Sequence, residues 1–499
     1  MNRRSRWVAP KDDGQVLIDP PCEALGSLLS ENRQRLAHPS VFGTPLQEWR
    51  RTWRQGDSHA PWVVTGHQPD WVHPGVWLKH FAVYHFAQRL SGRSMHVSID
   101  TDVPKGATLA LPRFGRDPHD VTLHTVAYDQ WETETIWSAI SVREPQRFLR
   151  FPESVAPITG SWPFQPILTE FWRRLSRWAL GTSPIRLAAL LNAVRRSFEA
   201  EWGVRNEELD AHELWEQNAR PFFTALVRDL PRFRDVYNKA VRTYRQRYGV
   251  RSRQHPVPEL VEVDGYLEAP FWFVQGGRRL RGFWRRDEGH WQVRIGSWES
   301  PRFADQGCLV QNIVEEWGFQ VYPRALLTTL MLRLFLADLF IHGIGGAKYD
   351  EVTDDIIRSY FQIEPPEYLV VSGTLRLPFP LFPSTENDFR RIHEHLRQLR
   401  WHPERFLDHR TGLVEQKERW LHYQPRTRAD RKTRYRELLE LTESLRPLVE
   451  PQRLATQTRL DRIRAELAAN ALLSRRDFAW IFQPAERLRH FCTQLTHTA

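Results

Sequence analysis

Between residues 62 and 99 the chain changes its hydrophobic period twice, and that change restricts the fold more than anything else in it. Trp62-Val63-Val64-Thr65 is a short apolar run that stops at Gly66. After a proline-stiffened loop, residues 76–90 carry Trp77, Phe81, Tyr84 or His85, and Gln88 at intervals of three and four, the spacing of one helix face. Ser94-Met95-His96-Val97-Ser98-Ile99 then reads as a second strand, closing at Asp100-Thr101-Asp102. Strand, helix and strand in this length form a βαβ unit, which requires a parallel sheet with a right-handed crossover.

At 499 residues the chain is too long for one compact core. Residues 1–60 read as a leader with a helix at 24–37. Residues 61–160 hold the first part of the core, with further strands at Leu109-Ala110-Leu111 and Val121-Thr122-Leu123-His124. Residues 161–255 read as a helical insertion, 187–202 being its clearest amphipathic segment. Residues 256–384 contain an aromatic hairpin about Gly276-Gly277 and the second part of the core. There, 325–342 reads as one long apolar helix and 349–361 as another across a glycine turn, before a strand at 368–371. From 385 to 499 the helices become charged. Leu454, Gln457, Leu460 or Asp461, Ile463 or Arg464, Leu467 and Ala471 give a narrow seam suited to an antiparallel hairpin or short coiled coil, interrupted by Pro447 and Pro451.

The basic start of the chain lacks an apolar core and is not expected to be a signal peptide. The apolar run at 325–341 contains Arg333 and Asp338, which favours a buried helix over a membrane span. Three widely spaced cysteines, Cys22, Cys308 and Cys492, read as packed thiols in a reducing, cytoplasmic setting. Arginine supplies most of the +10 formal charge, interleaved with acids and without a nucleic-acid-binding signature, so nucleic acid is the minority expectation. A positive field does favour anionic ligands.

Three segments carry chemistry. Gly66-His67-Gln68-Pro69 through His73-Pro74-Gly75 lies where a parallel sheet binds ligands, beyond the carboxyl end of a strand and at a helix amino terminus. Its imidazoles suit phosphate contact or proton transfer, against the plainer reading that they cap the helix. Asp100 and Asp102, with Lys105 following, end the adjacent strand and face the same crevice as base or amine ligands, or serve as a turn cap. His342-Gly343-Ile344-Gly345-Gly346-Ala347-Lys348-Tyr349-Asp350 reads as a glycine turn between helices offering N–H groups to an anion, with Asp338 placed to orient His342. A metal built from His342, Asp350 and Asp354 is not expected. The aromatic hairpin, Phe271-Trp272 and Trp284-Arg285-Arg286, is read as sheet packing rather than a base-stacking platform.

The glycine–histidine loop and the 342–350 stretch resemble a group of bacterial proteins of similar length to which no activity is assigned. More remotely, the layout is similar to the bacillithiol-biosynthesis cysteine-adding ligase family. Those proteins have a Rossmann-like core, inserted elements and a coiled-coil arm. Thr65, Gly66, Gln68 and Gly75 match that family's Thr-Gly-Gln-Gln strand-end motif and later glycine, with His67 in place of the first Gln and Pro69 inserted. Asp100-Thr101-Asp102 matches part of its Glu-Asp-His-Asp stretch, and Gly345-Gly346 part of its Gly-Gly-Pro-x-Glu segment. His73-Pro74-Gly75-Val76 also looks a little like the phosphate loop of nucleotidylyltransferases, without the second His.

The expectation is therefore an α/β protein with a Rossmann-like parallel sheet core, helical insertions and a C-terminal helical or coiled-coil arm that serves as a homodimer contact. It would be a ligase- or transferase-like enzyme for an anionic small molecule, nucleotide-activated in one version, making an amide or phosphoryl-type bond. His67, His73, Asp100 and Asp102 would be catalytic. Thr65, Gly66, Gln68, Gly75, Lys105, His342, Gly345, Gly346, Lys348 and Asp350 would bind the ligand. No cofactor is assigned. The alternative is a non-catalytic nucleic-acid-associated or scaffold protein using its basic surface and arm.

Overall fold

Apolar side chains of both parities along residues 62–65 put that segment in the middle of a sheet covered on both faces. The computed structural model describes residues 7–56, 59–131, 134–181, 184–305, 309–407 and 412–495. Cys308 lies outside them, and Cys22 and Cys492 are buried free thiols. The principal sheet has six strands: β1 (Val16–Asp19), β2 (Trp62–His67), β3 (Arg93–Ser98), β4 (Glu207–Asp210), β5 (Leu339–His342) and β6 (Tyr368–Gly373). Their order is β1-β6-β5-β2-β3-β4. β1 runs antiparallel to β6, and every other pair is parallel.

Val63, Leu339, Ile341, Leu369 and Val371 point into one core with Trp77, Phe81 and Phe86 of helix α1 (Pro74–Arg89). Val64, Met95, Val97, Phe340 and Val370 point into the other. The second core also takes Phe271, Phe273, Trp284 and Val293 from an antiparallel sheet that includes strands Tyr266–Gln275, Arg278–Asp287, His290–Ile295 and Gln320–Pro323. Gly276 and Gly277, at φ 57° and 79°, make the tight turn that the first of these hairpins requires. The strands at Thr108–Arg113 and Thr122–Ala127 pair only with each other, apart from the parallel sheet.

The long helix expected at 325–342 is not formed. Ala325–Met331 forms helix α2, Leu332–Leu336 is a π-helical turn, and the chain then enters β5. A run buried on all sides carries no period that separates helix from strand. Asp338 marks the break. It lies at the amino end of β5, accepts the Trp62 N–H at 2.8 Å, and pairs with Arg50 at 2.6 Å and Arg54 at 3.1 Å. It therefore does not orient His342, which ends the same strand. The helix after the glycine turn, α3 (Ile344–Ile356), starts earlier than expected and closes with a π-helical turn at Ile357–Phe361.

Toward the carboxyl terminus, helices Glu386–Trp401 and Glu450–Leu473 pack through Ile392, Leu460 and Ile463, with Phe389, Leu396 and Leu467 beside them. Leu454, expected in that seam, is 53% exposed. Among the described residues, no helix is long and apolar enough to cross a membrane.

Asp338, Arg50 and Arg54 are all buried, so removing the carboxylate strands two guanidinium groups. Asp338→Ala is expected to destabilise the fold by about 3–5 kcal/mol, read as a lowered denaturation midpoint at unchanged slope.

Candidate functional site

The carboxyl ends of the parallel strands gather most of the residues singled out from the sequence. His67 is the last residue of β2, and its Nδ1 lies 2.9 Å from the Gln68 carbonyl. Burial, with the Lys79 charge nearby, pushes its pKa down to about 3. His73 is the N-cap of α1 and accepts the Gly75 N–H at 3.1 Å; burial, with Arg476 nearby, lowers its pKa to about 4. Both imidazoles are thus neutral near pH 7, suited to hydrogen bonding and proton exchange rather than to pairing as cations. Gly75 is required by a backbone contact: a β-carbon there would stand 2.1 Å from the Gly373 carbonyl oxygen. Thr65 is fully buried, and its hydroxyl donates to the Ile341 carbonyl at 2.8 Å, joining β2 to β5.

Lys79 was not singled out from the sequence. It projects from α1, is 4% exposed, and donates to the Gly66 carbonyl at 3.1 Å. Desolvation lowers its pKa to about 8. Beside it, β5 ends at His342, whose Nε2 is 2.8 Å from Asp350. Arg333 joins the pair, bridging Asp350 and Asp354. His342 and Asp350 are therefore buried in one another's company, and Gly346 lies so close that its β-carbon would meet His342 Nδ1 at 2.9 Å. Gly345, Gly346, Lys348 and Tyr349 are the exposed part of this stretch. Among the described residues, no group of three or more His, Cys, Asp or Glu is arranged to hold a metal ion.

The two aspartates after β3 diverge. Asp102 accepts from the Gln68 amide and pairs with Arg279, whose guanidinium lies over the Trp272 ring at 4.1 Å. It ties the histidine loop to the antiparallel sheet. Lys105 is exposed and acts electrostatically on Asp70. Asp100 is 2% exposed; it accepts the His212 backbone N–H at 3.0 Å and pairs with His212 Nδ1. His212 follows β4 in the first turn of helix Ala211–Asn218, and its side chain is 31% exposed. The hydrogen bond to Asp100 raises its pKa. Asp210, two residues earlier, has a pKa raised to about 6 by burial and the neighbouring Asp100. This trio opens on a cleft of about 430 Å³ whose walls include Ser138, Arg186, Gln320 and Tyr322.

His212 and Asp210 were missed because β4, Glu-Glu-Leu-Asp, is too short and acidic to read as a strand inside a helical region. The available signal was a His two residues after an Asp at the end of an alternating segment. Lys79 had a fainter one, a lysine in a helix with no polar face.

No family model matches the chain, and no curated protein is significantly similar to it.

Two outcomes follow from the charges. Asp100→Asn is expected to lower the His212 pKa in an NMR titration; an unchanged value would remove the pairing. Asp210 holds its proton more tightly folded than unfolded, so its stabilising contribution is complete below its ordinary value of 3.8 and is lost as pH rises through about 6. Asp210→Asn should therefore flatten the fall in stability between about pH 4 and 6, measured by urea unfolding.

Proposed function

We propose that the chain is an enzyme for an anionic small molecule, held at the carboxyl edge of a Rossmann-like sheet, and that it forms or transfers an amide or phosphoryl-type bond. The observation that carries this reading is His212, held by buried Asp100 and open to a 430 Å³ cleft at the ends of β3 and β4. In parallel sheets this edge is where ligands bind, and the cleft lies within the size range of small-molecule sites.

His212 acts as the general base. With Nδ1 committed to Asp100, its Nε2 takes the proton of an amine or hydroxyl nucleophile, and Asp100 stabilises the imidazolium that forms. Asp210 is the second acid of the cleft, partly protonated near pH 6 and able to return a proton to a leaving group. Neutral His67 and His73 contact the ligand from the β2 side. Asp102 positions the loop that carries them. In this reading the protein works in the cytoplasm, and its C-terminal coiled-coil arm pairs two copies.

The nucleic-acid or scaffold alternative has less behind it. Arg281, Arg294 and Arg302 of the antiparallel sheet region are each engaged by a carboxylate, at 2.6, 3.1 and 2.7 Å, which removes part of the positive charge that reading needs.

The test is a thermal-shift screen against nucleotides, thiols and amino sugars, followed by turnover of whatever stabilises the protein. His212→Ala is expected to lower turnover by about 10²–10⁴-fold while keeping the ligand-induced shift. Full turnover by that variant would overturn the assignment.

A further inference from the structure

Lys79 is an electrostatic exception. The other strongly buried cations have carboxylate partners: Arg50 has Asp338, Arg195 has Glu199 and Glu208, Arg324 has Glu268, Arg333 has Asp350 and Lys417 has Glu404. Lys79 is 4% exposed, and among the described residues no carboxylate pairs with it; its hydrogen-bond acceptor is the Gly66 carbonyl. The ionisable groups that feel its charge include His67, His73, His80 and His342, and burial holds all four below the ordinary histidine value. An ammonium removed from water among neutral imidazoles is costly unless an anion joins it.

Its position says where that anion sits. β2 and β5 pair directly as far as Thr65 and Ile341. Their chains then part, β2 leading to α1 in one core and β5 to α3 in the other. The Lys79 stem lies in this fork: its ammonium reaches Gly66, and a β-carbon on Gly343 would be 3.9 Å from its Cδ. Gly343 is the N-cap of α3, a helix of 13 residues, and no side chain caps it. Gly345, in the first turn, faces open space. A buried cation without a carboxylate and a helix amino terminus without a side-chain cap thus meet at the fork.

We infer that the fork between β2 and β5 is a phosphoryl-binding site, with Lys79 as its counter-charge and the first turn of α3 as its N–H donors. Lys348, exposed one turn further along α3, is not needed for it. The inference rests on the functional reading above in taking the carboxyl edge as the ligand side. It concerns a different pair of strands from the His212 cleft, so the two fail separately. A phosphorylated substrate would span from the fork toward the cleft.

The experiment is a thermal-shift titration of the full chain with inorganic phosphate and pyrophosphate at constant ionic strength, with chloride and acetate as controls. Wild type is expected to gain roughly 2–4 °C, saturably, with phosphate or pyrophosphate. Lys79→Met, which removes an uncompensated charge, should be at least as stable without anion and show no gain. Gly345→Asp places a carboxylate in open space at a helix start, where it favours the helix and repels the ligand, so it too should fold and lose the gain. His212→Ala should keep it. No gain in wild type beyond chloride, or an equal gain in Lys79→Met, would overturn the site. A gain from acetate as large as from phosphate would overturn its phosphoryl assignment.

Discussion

The pairing of β5 with β2 depends on a carboxylate. Asp338 accepts the backbone N–H of Trp62 and is flanked by Arg50 and Arg54 from the helix at Leu46–Trp53 and its C-cap. It thereby fixes where β5 begins relative to β2, with Leu339 opposite Val63. A one-residue slip would send Phe340 and Ile341 to the wrong faces, and both faces are packed. From this register the rest follows. β5 ends level with β2, their loops separate to opposite cores, and the sheet acquires a fork at its carboxyl edge. On the other side Asp100 follows the end of β3 and Asp210 ends β4, and the antiparallel sheet closes over them with Gln320 and Tyr322. Charges buried this deeply contribute through arrangement more than through net attraction, since their desolvation offsets much of the Coulomb gain.

The βαβ unit was legible because its period changes where the backbone does. Gly66 and Pro74 punctuate it, and α1 begins at Pro74 with His73 as the cap. Three other strands of the same sheet were not: β1, in the stretch read as a leader, and the two that shape the site, β5 and β4. β5 lies in a run without a polar face, where helix and strand differ only in backbone geometry, and nothing local announces the break at Asp338. β4 is four residues long, and three of them are acidic. Its pairing with β3 is a long-range fact, recorded in Glu208 meeting His96 and Arg195.

These two omissions account for how the site differed from expectation. Without β5, Gly343–Gly346 reads as a joint between helices, and Lys348 as its charge. With β5 in place it becomes the start of a helix beside β2, and Lys79, on a helix far away in sequence, becomes the relevant cation. Without β4, Asp100 has only Asp102 for company. With it, Asp100 meets His212, while Asp102 turns toward Gln68 and Arg279. Local sequence showed which strand ends carry reactive groups; the choice of partner for each group belongs to sheet order, which neighbouring residues do not encode.

Desolvation then sorts those groups into two kinds along one edge. At β2 and α1, burial without carboxylate partners leaves His67 and His73 neutral and Lys79 a reluctant cation, its pKa brought to about 8. At β3 and β4, the hydrogen bond to Asp100 raises the pKa of His212, while burial, with Asp100 beside it, raises that of Asp210. A group that needs negative charge brought to it and a base already supplied with its own carboxylate therefore stand at neighbouring strand ends. That division is what a reaction joining an anionic partner to a nucleophile requires, since the anion must be attracted at one end while a proton is removed at the other.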